Sequence, residues 1–333
     1  MKKRKKIVWK AILAVLAAAL LFVIIKAGLD VIFASRIPHH FASAQEGREQ
    51  LLSNTEYYNN YSENDLEFRM KKTGATLDEL LTESTEGVKS FSIFEKLFVD
   101  SILAKMARKL EKNGYELPEV GEITFISCDM DTEFGSSGYT HGKEIYINSS
   151  LVTMYTLLSM DSQTKALMEE LLWHEMFHVL TRNNPEFRSD MYSLIHFTVT
   201  DSDYALPKSI REYLLSNPDV MHHDAYATFV IDGREIDCYV ADISSGHFAE
   251  GADLKEIPAL VPTDGSDTYY TPEQAENFDA VFGTNTTYVI DPEECMAENF
   301  SLAMTYGLDG RNNQGYQSPE IIQGIIELLQ EEQ

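Results

Sequence analysis

Cysteine is scarce in this chain: Cys128, Cys238 and Cys295 are the only three in 333 residues. None stands in C-x-x-C spacing, which excludes a cysteine-held metal site. The odd number leaves at least one thiol unpaired; one disulfide is possible, and a reduced core role is equally open for each. Basic residues are scarce as well, and the net charge is −26. Seven of the 27 basic residues fall within the first 26 positions, which hold no acidic residue. That leaves 20 basic against 53 acidic residues in the remainder, a net of −33. Such a body repels nucleic acid and anionic lipid, and no nucleic-acid motif argues otherwise. Long apolar runs are limited to one, which excludes a polytopic protein. No internal repeat is visible.

The one apolar run is Ile7 to Ile25, interrupted only by Lys10, whose stem can snorkel to headgroups. Nineteen residues at a rise of about 1.5 Å nearly cross a bilayer core. The cluster Met-Lys-Lys-Arg-Lys-Lys before it is expected to stay cytoplasmic, with the body outside. Residues 1–34 therefore read as a basic tail and transmembrane anchor. The alternative is a cleaved signal peptide and a secreted protein, with Ala42-Ser43-Ala44 as the small-residue cleavage candidate.

Residues 35–65 are polar and read as a stalk. The body, 66–333, reads as α+β. A strong helical stripe runs from Phe91 to Lys112 and ends at Asn113-Gly114. Strands are expected at 122–126 and 144–148, joined by a Gly-rich connection, with a helix at 150–159. A helix from about 163 to 182 follows, capped by Asp161 or Ser162 and stopped before Asn183-Asn184-Pro185. Residues 186–216 read as mostly helical, and 226–243 as a hairpin about Asp232-Gly233. Residues 244–286 show little periodicity, so about 186–286 reads as an insertion, lid-like or functional. Helices close the chain at Pro292–Tyr306 and Pro319–Gln333.

The chemistry lies in Leu171-Leu172-Trp173-His174-Glu175-Met176-Phe177-His178-Val179-Leu180, an H-E-x-x-H pattern inside an apolar helical run. Residues four apart share a helix face, so His174 and His178 project together and can grip one Zn²⁺ at about 2.0–2.1 Å. Glu175, one step round, is placed as general base towards a zinc-activated water. The bland alternative is a core helix with hydrogen-bonded histidines. A third ligand is needed. The extended form H-E-x-x-H-x-x-G-x-x-H fails, because Thr181 and Asn184 stand where Gly and His are required. The best candidate is Glu294 in Asp291-Pro292-Glu293-Glu294-Cys295-Met296-Ala297-Glu298-Asn299-Phe300, where Asp291 caps a helix and Pro292 opens it. Glu298, four residues on, is expected to steady a ligand histidine or the helix. Glu293 and Glu294 in the first turn also suit the helix dipole. The remaining histidines stay unassigned, with His222-His223 the pair nearest to suspicion.

His174-Glu175-x-x-His178 with a later Glu-x-x-x-Glu helix resembles the gluzincin class of zinc peptidases. Glu294 to Phe300 is similar to the E-x-x-A-E-x-F segment of anthrax-lethal-factor-like peptidases. The resemblance covers about 120–182 and 284–333, and the gap between His178 and Glu294 is longer than that family has. It implies a zincin-like domain, Zn²⁺ on His174, His178 and Glu294, and Tyr288 as the tyrosine that steadies the oxyanion. It also implies an edge strand, taken as 144–148, that pairs with an extended substrate. The expectation is a membrane-anchored, extracytoplasmic zinc endopeptidase acting on a peptide or protein. Its rivals are a catalytically inactive zincin-fold binding or sensor module and a zinc amidase acting on cell-wall material.

Overall fold

The structure, a computed structural model, describes residues 2–251 and 253–330, with the backbone alone for residues 2–14, 19 and 20. The side chains of the basic cluster Lys2–Lys6, and residues 331–333 of the expected C-terminal helix, lie outside what is described. The architecture is mixed α and β, with two small four-stranded sheets.

A long N-terminal helix spans Lys2–Ala34, and its stretch Val15–Ala34 is long and apolar enough to cross a membrane. Its last turns dock on the body. Asp30 is buried and lies 2.8 Å from Arg108 on the long helix Ile93–Asn113, and Ala34 enters the main core. Residues 35–65 are not a stalk. His39–Phe41 forms strand β1, hydrogen-bonded in parallel to β2 (Ile123–Cys128), and Ala42, Leu51 and Tyr57 are buried. Polar composition concealed this because few residues of the segment supply its apolar contacts.

The first sheet has the order β1-β2-β4-β3, with β3 at Gly138–His141 and β4 at Glu144–Asn148. β4 is parallel to β2 and antiparallel to β3, so both its edges are paired. The edge strands of this sheet are therefore β1 and β3, and β3 forms inside the expected Gly-rich connection. Every residue of β2 is buried, as for a strand covered on both faces.

The second sheet lies within 186–286 and is antiparallel throughout: β5 (Thr198–Val199), β6 (Ala225–Ile231), β7 (Arg234–Ser244) and β8 (Glu256–Pro262). The β6–β7 turn uses Asp232 and Gly233, both at positive φ (51° and 69°), as a two-residue hairpin of matching twist requires. The expected helical stretch 186–216 is helical only at Pro185–Ser193 and Lys208–Arg211, and β8 occupies a stretch without obvious periodicity. One face of this sheet joins the main core through Ala227, Phe229, Cys238, Val240 and Leu260.

Two helices cross at the centre: the motif helix Ser162–Asn183 and the acidic helix Pro292–Tyr306. Their contact is aromatic. Trp173 and Phe177 meet Phe300 with ring centroids 6.0 and 5.4 Å apart, and all three are fully buried. Such pairs add about 0.5–1.5 kcal/mol beyond area burial, and the packing fixes one helix against the other. Cys128, Cys238 and Cys295 are all unpaired and buried, so the disulfide alternative falls. Burial pushes their thiols up to about 12.

The junction of the N-terminal helix and the first sheet carries a titratable pair. His39 Nε2 lies 3.0 Å from Asp100 Oδ1, and its Nδ1 lies 2.7 Å from the Ile37 carbonyl. Burial opposes charge on His39, but these two partners hold its pKa above 6.5. A raised folded pKa stabilises fully below 6.5 and loses that contribution as pH rises through the folded value. The thermal midpoint of the wild type should exceed that of His39→Gln at pH 5.5, and the gap should close by pH 9. A gap independent of pH would contradict the pairing.

Candidate metal centre

Asp161 caps the motif helix by accepting the Thr164 N–H at 2.7 Å. From that start, His174 and His178 stand one turn apart with ring centroids at 4.8 Å. Asp291 caps the acidic helix by accepting the Glu293 N–H at 2.8 Å, and Pro292 fills the first turn. The helix crossing then drives Glu294 between the two histidines. Its Oε2 lies 3.1 Å from His174 Nε2 and 3.7 Å from His178 Nε2, and the three donors lie within 4.8 Å of one another.

These spacings fit a zinc ion. Bonds of about 2.0–2.1 Å in a tetrahedron separate ligand atoms by about 3.3–3.4 Å. His178 Nε2 is buried and has no hydrogen-bond partner among the described residues, while a buried polar atom ordinarily has one. The outer partners fit as well. His178 Nδ1 lies 2.9 Å from Glu293 Oε1, and His174 Nδ1 lies 3.3 Å from Glu298 Oε1. Each imidazole is thus oriented by a carboxylate on the nitrogen that faces away from Glu294. Glu298 stands where the spacing argument put it. Glu293 has a role that sequence reading missed: it accepts from Tyr192 at 2.5 Å and Thr181 at 2.6 Å and holds the buried histidine.

Burial opposes ionisation of Glu294, but hydrogen bonding to His174 and the fields of His178 and His174 hold its carboxyl down at about 2. Burial likewise opposes charge on the histidines. Glu294 and Glu298 nevertheless raise His174 well above its ordinary value, and Asp219 and Glu293 raise His178. The cluster is built to hold positive charge.

Glu175 is buried beside these donors. Its Oε2 accepts from Thr140 Oγ1 on β3 at 2.9 Å. Burial, then the charge of Asp219, push its carboxyl up to about 7. Its other oxygen lies against Gly138, where an added Cβ would come within 2.8 Å, so this strand position has to be glycine. The cleft in front of these groups holds about 510 Å³ and is lined by Gly138, Tyr139, Tyr288, Asp219 and Asp242 among others. Tyr288 is 39 % exposed on its wall. Burial in the cleft and the carboxylates of Glu294 and Asp219 raise its phenol further, so it remains protonated.

The insertion supplies two residues that sequence reading did not single out. Asn217 Nδ2 donates to Glu294 Oε1 at 2.6 Å, and Asp219 Oδ1 lies 4.0 Å from His178 Nε2. No periodicity marks Asn217-Pro218-Asp219, and only the fold brings them in. His222 and His223 are elsewhere: His222 is exposed against Asp203, and His223 packs against Tyr239. Comparison with protein-family models, with curated proteins and with solved structures gave no match to this chain.

Removing the orienting carboxylate in Glu293→Gln should weaken zinc binding about 10–100-fold. Competition titration against a chromophoric chelator measures this, and an unchanged affinity would contradict the role given to Glu293.

Proposed function

We propose that this chain is a membrane-anchored zinc peptidase whose body lies outside the cytoplasm. The observation that carries the reading is the set His174 Nε2, His178 Nε2 and Glu294 Oε2, drawn together at ligand spacing with the Glu175 carboxylate beside it. The fold supports a zincin-like arrangement, in which a motif helix lies beneath a sheet with a free-edged strand. Zinc bound there would supply Lewis acidity, lowering the pKa of a water to about 7 and drawing charge from a carbonyl.

The chain's own groups supply the rest. Glu175 takes the proton of the attacking water and delivers it to the leaving amine. Glu175 is buried, and a ligand atom of its carboxylate lies within 4.8 Å of one on His178, which puts it in reach of such a water. Thr140 fixes the Glu175 rotamer. Tyr288 offers its O–H to the carbonyl oxygen as negative charge develops there. β3, not β4, is the edge strand beside Glu175 that would align a substrate backbone.

The anchor helix supports the membrane reading. Its cluster of basic residues precedes the apolar stretch, which favours a cytoplasmic N-terminus. Its final turns are built into the body, and Ala42 is buried with its N–H bonded to the Phe125 carbonyl at 2.9 Å. A cut at Ala42-Ser43-Ala44 would open that packed junction, so an uncleaved anchor is the better fit.

Glu175→Gln should lower kcat/KM on peptides about 10²–10⁴-fold and leave zinc content unchanged. Normal turnover by that variant would sink the mechanism. A zinc-loaded wild type inert on every peptide would favour the binding-module reading, and activity confined to cell-wall substrate in a zymogram would favour the amidase.

A further inference from the structure

The hydrolytic reading leaves one carboxylate at the centre unused. Asp219 is only 8 % exposed and lines the cleft. Its Oδ1 accepts the Thr140 N–H at 2.8 Å and lies 3.5 Å from Arg182 Nη2. Its Oδ2 makes no hydrogen bond to the described residues. Ligand atoms of Asp219, Glu175 and His178 lie within 4.8 Å of one another, so Asp219 stands beside the proposed base.

The free edge of β3 is short. Thr140 turns both backbone polar groups away from the sheet, and both are occupied. Its N–H goes to Asp219, and its carbonyl accepts from the Arg182 guanidinium. Arg182 also donates to the Pro218 carbonyl at 2.6 Å, which ties the turn Asn217–Val220 across the edge. Further back, the Ser136 carbonyl is taken by Asn148 Nδ2 at 3.0 Å. Gly138 remains, next to Glu175. A peptide that adds to β3 at Gly138 is stopped at Thr140 by the turn from the insertion, so its chain has to end there.

The charges decide which end it is. The Arg182 guanidinium is committed to Thr140, Pro218 and Asp219. Arg69, also on the cleft, is paired with Asp65 and Glu133. A terminal carboxylate would therefore meet Asp219, Glu175 and Glu294 with no uncommitted lysine or arginine lining the cleft among the described residues. A terminal ammonium meets Asp219. That nitrogen lies only about 2.5 Å from the carbonyl carbon of its own residue, given N–Cα and Cα–C bonds of about 1.46 and 1.52 Å. An ammonium held by Asp219 thus brings the first peptide carbonyl to Glu175.

We propose that the site takes peptides by their free N-terminus, with Asp219 pairing with the α-ammonium, and that the first peptide bond is the one hydrolysed. The inference rests on the peptidase reading. Water adds its OH to the first carbonyl carbon as the C–N bond breaks, and Glu175 carries the proton to the departing amine. The products are one free amino acid and a peptide shorter by one residue.

Full-length protein in detergent micelles, loaded with zinc, would be assayed on pentapeptides in two series, one with a free N-terminus and one N-acetylated, with products read by mass spectrometry. The expected result is stepwise loss of single residues from the free series and at least about 100-fold slower cleavage of the acetylated one. Asp219→Asn keeps an acceptor for the Thr140 N–H. It should raise KM for free peptides at least about 10-fold, change kcat less, and retain zinc, whereas Asp219→Glu should restore part of the preference. Internal cleavage of acetylated peptides at rates matching the free series would overturn the proposal and leave the peptidase reading standing. Zinc-loaded wild type that cuts neither series would overturn both, and the wild-type comparison decides even if a variant fails to fold.

Discussion

Glu175, Asp219, Glu293 and Glu294 are buried around two histidines, and like charges at this density are not stable in a protein interior without a cation among them. That constraint organises the structure. The motif helix and the acidic helix cross where their aromatic contacts bring His174, His178 and Glu294 into register. The hydrogen bonds of Thr181, Tyr192 and Asn217 serve the carboxylates more than they serve general stability. A divalent ion in contact with the three donors would offset the clustered negative charge and complete the hydrogen-bond ledger at His178.

The insertion and the N-terminal segment are parts of the same device. Arg69 is buried between Asp65 and Glu133 and donates to the carbonyls of Thr132 and Ser216. Asp65 also accepts the Ser216 N–H at 2.8 Å. A charged network of this kind, fully hydrogen-bonded, fixes geometry more than it adds stability. Here it fixes the residue next to Asn217, and so the loop that reaches Glu294 and closes the end of β3. The N-terminal helix continues into the body without a flexible stalk, so the cleft is held in a set relation to the helix that precedes it.

Much of the centre was legible in the sequence because helices carry their geometry in their spacing. His174 and His178 four apart, and Glu294 and Glu298 four apart behind Asp291-Pro292, needed only the helical period to be placed on common faces. The two helices were themselves marked by caps and by apolar runs. What spacing cannot give is burial and long-range contact. Glu293 looked like a dipole-favoured acid in a first turn, and only its burial against His178, Thr181 and Tyr192 shows otherwise. β3 was hidden because Gly138-Tyr139-Thr140-His141 is too short for a clear alternating pattern. Asn217 and Asp219 come from a loop about thirty-five residues beyond the motif helix, and only the fold brings them back. Residues 35–65 misled because a strand of three residues and a few buried tyrosines hardly alter a polar composition.

The central claim is that one zinc ion joins the two crossing helices through His174, His178 and Glu294. Metal analysis of the purified full-length protein, beside His178→Ala and Glu294→Ala, tests it most directly. The account predicts one zinc per wild-type chain and its loss in both variants while their circular dichroism stays native. Zinc retained in Glu294→Ala, or absent from folded wild-type protein after reconstitution, would contradict it.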